Sequence, residues 1–163
     1  MARKEKKVVV PDFPGTENRD KDKVFQLTEW SAARAENWLF RMMLAYNRSG
    51  GQIPLELSGI GWEGLAVLAI NTFLRGNIVS AEIVPLWDEL LECVTIIRDP
   101  RKHMDVVTPF EDEDTQEVAT RIWLRLEVLS LHVGFSVTDA LSSLYRKIMT
   151  APISSDIPTS PPA

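Results

Sequence analysis

Two histidines, one cysteine and a cluster of carboxylates are the side chains with which this chain could do chemistry. His103 lies in a charged stretch and His132 near the end of a long amphipathic segment. Neither has a second histidine or a cysteine at ligand spacing. Metal sites need three or four converging ligands, so the pattern offers no metal centre, and no cofactor is expected. Cys93 falls close to Glu89 and Glu92. Neighbouring carboxylates raise a thiol pKa, so it reads as a small packing residue rather than a nucleophile. Asp88, Glu89 and Glu92 imitate a catalytic carboxylate pair, but they share the solvent face of an amphipathic helix. Gly59, Gly61 and Gly64 make a loose G-x-G-x-x-G, yet no strand precedes it and charged Glu63 falls inside it. No Walker lysine, phosphate loop or nucleophile elbow is present. The expectation is a protein that is not an enzyme.

The totals bound the class. A chain of 163 residues is expected to form one domain and to bury ~70% of the surface its unfolded form exposes. Its 45% apolar and 25% charged residues are ordinary for a globular protein. A net charge of −5 and a pI near 5.1 count against nucleic acid as the main partner, because phosphate binding needs a concentrated positive surface. The single cysteine excludes an internal disulfide and suits a reducing cytoplasm. Arg3, Lys4, Lys6 and Lys7 are followed only by Val8-Val9-Val10 before Pro11, too short a run for a signal-peptide core. Neither secretion nor membrane insertion is expected.

The element expected to organise the rest is residues 64–74, eleven residues without a charge and apolar on every side of a helix. Such a helix must be buried all round, and it is far shorter than the ~20 residues that span a bilayer. Four further helices read as its wrapping. The first covers residues 32–47, capped by Ser31 and stopped by Gly50-Gly51, with the stripe Ala35, Trp38, Leu39, Met42 and Tyr46. The next starts at Ser80, tolerates Pro85 only with a bent first turn, and carries Leu86, Trp87, Leu90, Val94 and Ile97 inward to a stop before Asp99-Pro100. A third, residues 115–133, has the stripe Val118, Ile122, Leu126, Leu129 and Val133 and a second ridge of Leu124, Val128 and Leu131. Gly134 ends it, and Ser136 with Asp139 opens the last helix, where Val137, Leu141, Leu144 and Ile148 face inward. Residues 99–113 form the longest internal loop, with acids placed before the next helix.

The fold class predicted is therefore all-α, a compact bundle of about five helices. Residues 1–23, with alternating charges and two prolines, read as a flexible arm. Residues 24–150 are the helical domain, with Val24 to Leu27 as a short extended lead-in. Residues 151–163, rich in proline and serine, are a loose tail.

Phe40 and Leu44 form a second apolar ridge on the first helix, either packed against another neighbour or left as a docking strip. Trp30 and Trp62 are less determined by the stripes than the other tryptophans, and tryptophan is favoured at interface hot spots. Trp30, Phe40, Leu44 and Trp62 are thus the candidate partner-binding residues. A helix-turn-helix over Gly134-Phe135 is disfavoured, because Arg146 and Lys147 sit at the far end of the would-be recognition helix.

The stretch from Phe25 to Ala45 contains the extended lead-in and the Ala35-Glu36-Asn37-Trp38 motif. A Gly-rich apolar helix follows, and then Pro85-Leu86-Trp87-Asp88-Glu89-Leu90-Leu91-Glu92-Cys93-Val94. In this order the pattern resembles the tail assembly chaperones of long-tailed bacteriophages, over residues 24–149. The resemblance implies a non-enzymatic protein of the infected bacterial cytoplasm, absent from the finished virion. It would coat the tape-measure protein and help recruit tail-tube subunits, and members are often made in a second, frameshift-extended form. A minor tail or head-tail joining protein retained in the particle is the alternative, followed by a small helical DNA-binding regulator.

Overall fold

Val94-Thr95-Ile96-Ile97 is a run of four β-branched residues, and it folds as a strand where periodicity predicts the end of a helix. In the computed structural model, which describes residues 2–48, 80–98, 106–139 and 142, this strand sits inside a four-stranded antiparallel sheet. The all-α expectation is thereby corrected to a mixed α/β fold. The strands are β1 (Glu5–Val9), β2 (Val24–Thr28), β3 (Val94–Ile97) and β4 (Val107–Pro109), neighbours in that order. Among the described residues the helices are α1 (Ala32–Arg48), α2 (Ser80–Glu89), α3 (Val118–Val133) and the start of a further helix at residues 137–139, with short 3-10 turns at Leu90–Cys93 and Asp112–Asp114. The predicted central helix, residues 64–74, lies outside the described residues, as do all but the first turn of the predicted last helix and the tail from 151.

Register explains the core. Val8 pairs with Phe25 and Phe25 with Ile96, so one row of apolar side chains crosses three strands on the same face. Leu27 and Val94, two residues along, form the next row. All five are buried, with Phe25 and Leu27 fully so. The alternate positions Glu5, Lys7, Gln26 and Thr95 are exposed or half-buried, while Ile97 on that same face is buried. α3 packs over this apolar face with Leu124 and Val128 in the core. The ridge treated as secondary in the sequence is therefore the packed one. Val118 and Ile122, at the head of the expected main stripe, are exposed. A helix lying on a sheet buries one face only, so the two stripes could not both be inside.

The charged stretch expected as a flexible arm supplies β1 and a folded connection to β2. Its turns use the chemistry that favours Asn, Asp and Gly: Gly15, Asn18 and Asp22 all have positive φ. The Asn18 side chain accepts from the Phe13 N–H at 2.8 Å, and Val10 and Lys23 close the hairpin base at 3.0 Å. At the connection's centre is Asp20, completely buried. Its two oxygens accept from the N–H groups of Gln116 and Glu117 at 2.9 to 3.0 Å, immediately before α3. Glu117 itself makes no side-chain cap there, so a carboxylate from a distant loop caps the helix. Lys23 neutralises it at 2.7 Å.

α1 and α2 run antiparallel, and their charges show it. Arg34, Arg41 and Arg48 recur every seven residues along one line of α1 and pair with Glu92, Glu89 and Glu82 in reverse order. Arg41 makes two bonds to the Glu89 carboxylate, at 2.7 and 2.6 Å. The Arg41 guanidinium beside Glu89 outweighs burial and holds that carboxyl below its usual range. Behind this line Trp38 and Met42 are buried, and the Trp38 indole N–H donates to the Leu86 carbonyl at 2.9 Å. Ser31 caps α1 as expected, and Gly134, at φ 81°, closes α3 in the left-handed conformation.

Candidate protein-binding groove

Those residues singled out for chemistry that the structure describes are held by packing or ion pairs. Cys93 is buried at the end of α2's 3-10 turn. Burial pushes its thiol up to about 12, against the opposing Arg34 guanidinium and with a smaller contribution from Glu92. A thiol reagent is expected to leave Cys93 untouched in the folded chain at pH 8 and to titrate one thiol after unfolding; prompt reaction without denaturant would contradict this burial. Asp88, Glu89 and Glu92 each hold an arginine, respectively Arg125, Arg41 and Arg34. Among the described residues no three His, Cys, Asp or Glu side chains are grouped to hold a metal ion. His103, the loose glycine motif, Trp62, Arg146 and Lys147 lie outside the described residues. None of the described helices is long and apolar enough to cross a membrane.

His132 does have a role, which its sequence position did not reveal. Its Nδ1–H donates to the Val128 carbonyl one turn back at 2.8 Å, and its Nε2 accepts the backbone N–H of Trp30 at 2.9 Å. Only the neutral ring can do both. The imidazole thus ties the end of α3 to the junction between β2 and α1. Trp30 is buried there, its ring 5.1 Å from that of His132 and 6.0 Å from that of Trp38, with the Arg34 guanidinium 4.9 Å above it. Its indole N–H is buried without a hydrogen-bond partner among the described residues. Trp30, less determined by the helical stripes than the other tryptophans, is a buried residue of the core.

Burial holds the His132 pKa below its ordinary value, while the Val128 carbonyl and Glu29 act to raise it and Lys4 to lower it. The unfolded chain binds its proton near pH 6.5, so the tether's contribution is complete above that pH and falls away as pH drops below it. Urea midpoints measured at pH 7.5 and 5.5 should therefore fall for the native chain more than for His132→Gln. Equal falls would refute the assignment.

Beside this junction lies a groove of about 800 Å³. One wall is the outward arc of α1, where Ala32, Glu36, Leu39, Phe40 and Met43 recur at helical spacing. Trp30 and His132 close its inner end. Phe40 is 55% exposed and lines the groove. Leu44, equally exposed, lines instead a smaller crevice of about 300 Å³ between α1 and α2, beside Arg41, Arg48 and Pro85. The expected ridge thus divides between two adjoining concavities. Met43 and the alanines were legible as part of the same arc, since α1 carries a single charge over that side. His132 was not, because it arrives from about a hundred residues away.

Comparison of this mixed α/β chain with known protein families, curated proteins and solved structures finds no match.

Proposed function

We propose that this chain is a non-enzymatic protein-binding domain that serves as a tail assembly chaperone of a long-tailed bacteriophage. It shields the tape-measure protein in the host cytoplasm, helps bring tail-tube subunits to it and leaves before the virion is complete. The observation that carries the binding part is the exposed apolar arc of α1, with Phe40 and Leu44 each more than half open to solvent. Large aromatic and aliphatic side chains at helical spacing beside a groove are what a protein partner covers. The phage assignment rests on the ordered resemblance through residues 25–45 and 85–94.

The test is co-expression of the full chain with the tape-measure and tail-tube proteins of its own genome. Soluble tape-measure protein only in its presence, with none of the chain in purified virions by mass spectrometry, is the expected result. Stoichiometric retention in the virion would establish a structural component instead. A salt-dependent complex with duplex DNA would establish a regulator.

A further inference from the structure

The groove beside α1 has a charge pattern as well as an apolar floor. Among the described residues its lining includes two carboxylates, Glu29 and Glu36, and no lysine or arginine. Arg34, Arg41 and Arg48 of α1 are held by Glu92, Glu89 and Glu82, and the Arg34 guanidinium also lies over the Trp30 ring. Among the described residues the ring nitrogens in the groove belong to Trp30 and to His132, which is neutral because its pKa is held low and both its nitrogens are engaged. An acidic rim over an apolar floor favours a cationic occupant, and charges across a docking surface select partners by such complementarity.

We infer that this groove binds an amphipathic helix whose apolar ridge is flanked by lysine or arginine. The geometry favours a helix over an extended segment. The wall is one helix face from Ala32 to Met43, about 16 Å at 1.5 Å per residue, and among the described residues no strand lines it. A helix laid along that wall meets it with residues at i, i+3, i+4 and i+7, which is how apolar grooves read helices. Phe40 inserts into the partner's ridge, and Glu36 receives a cation one turn away on the same arc. In a second concavity among the described residues, about 370 Å³ beside β1, Lys6 is paired with Glu127 at 2.7 Å. This inference rests on the chain being a protein-binding domain and names the chemistry of its partner.

The experiment uses the full chain and three labelled synthetic peptides of eighteen residues, read by fluorescence anisotropy. One has a leucine ridge flanked by lysines, one the same ridge flanked by glutamates, and one the lysine composition with the ridge scrambled. The lysine-flanked helix should bind at least ten-fold tighter than the other two, and its advantage over the glutamate peptide should shrink with added salt. Phe40→Asp should weaken it at least ten-fold while circular dichroism stays native. Glu36→Lys should reverse the preference between lysine and glutamate flanks. Equal affinity for the two flanks, or binding indifferent to both variants, would overturn the inference. So would self-association of the native chain that Phe40→Asp abolishes, with no peptide binding, since the groove would then be a contact between copies. The phage assignment is judged separately by tape-measure solubility and virion content, so either result can fail while the other stands.

Discussion

Truncating Phe25 to alanine should cost about 4 kcal/mol, the usual loss when a fully buried aromatic leaves a cavity. Phe25 has no exposed surface, stands between Val8 and Ile96 in the row that crosses β1, β2 and β3, and meets Phe110 edge to face at 6.1 Å. Its loss opens space beneath α3 that neighbouring strands, fixed by their hydrogen-bond ladder, cannot close. Urea unfolding followed by circular dichroism reads the change directly, and a fall in melting temperature on the order of 10 °C should accompany it. Phe40→Ala is the internal control. It removes the same ring from an open surface and should shift stability by less than about 0.5 kcal/mol. In a helical bundle with residues 24–27 as a mere lead-in, the two substitutions would behave alike. A loss below about 1 kcal/mol at Phe25 would count against the sheet as the core's foundation.

The second large effect is expected at Asp20. Replacement by asparagine should destabilise the chain by about 3 kcal/mol, because it removes one partner of a buried ion pair and turns an amide N–H toward donors. Three groups depend on that carboxylate: the Gln116 and Glu117 N–H groups before α3 and the Lys23 ammonium. Burial taken alone would raise the Asp20 pKa, but the Lys23 ammonium and these N–H bonds outweigh it and hold the carboxyl below its ordinary value. The folded state therefore prefers the ionised form. The stabilisation is present in full above the unfolded value near 3.9 and is lost as pH falls through the lower folded value. The gap between native chain and Asp20→Asn should accordingly be wide at pH 7 and close steadily below pH 4. A gap independent of pH would mean that shape, not charge, sets Asp20's contribution.

These two residues also show where sequence reading stopped. Phe25 stood in a recognised extended beat, but four or five residues give too short a period to declare a strand, and its partners lie 17 and 71 positions away along the chain. Asp20 sat in a run of alternating charges that looks solvated, and nothing local marks one acid of that run as buried. Val94 to Ile97 satisfied a helical stripe in spacing while its β-branched composition pointed to a strand; the sheet waiting beside it settled the conflict. On α3 the two apolar ridges were equally legible, and the choice between them was made by which one met the sheet.

What this sequence determined by itself is local. It set the extent of α1, the Ser31 and Gly134 caps, the arginine line of α1 and the apolar arc holding Phe40 and Leu44, because helical periodicity and capping act within a few residues. What only the tertiary structure decided is long-range: the four-stranded sheet, the capping of α3 by Asp20, the burial of Trp30 and the arrival of His132 at the groove. Strand pairing and burial depend on contacts between residues tens of positions apart, and such contacts leave no periodic trace in the chain that makes them.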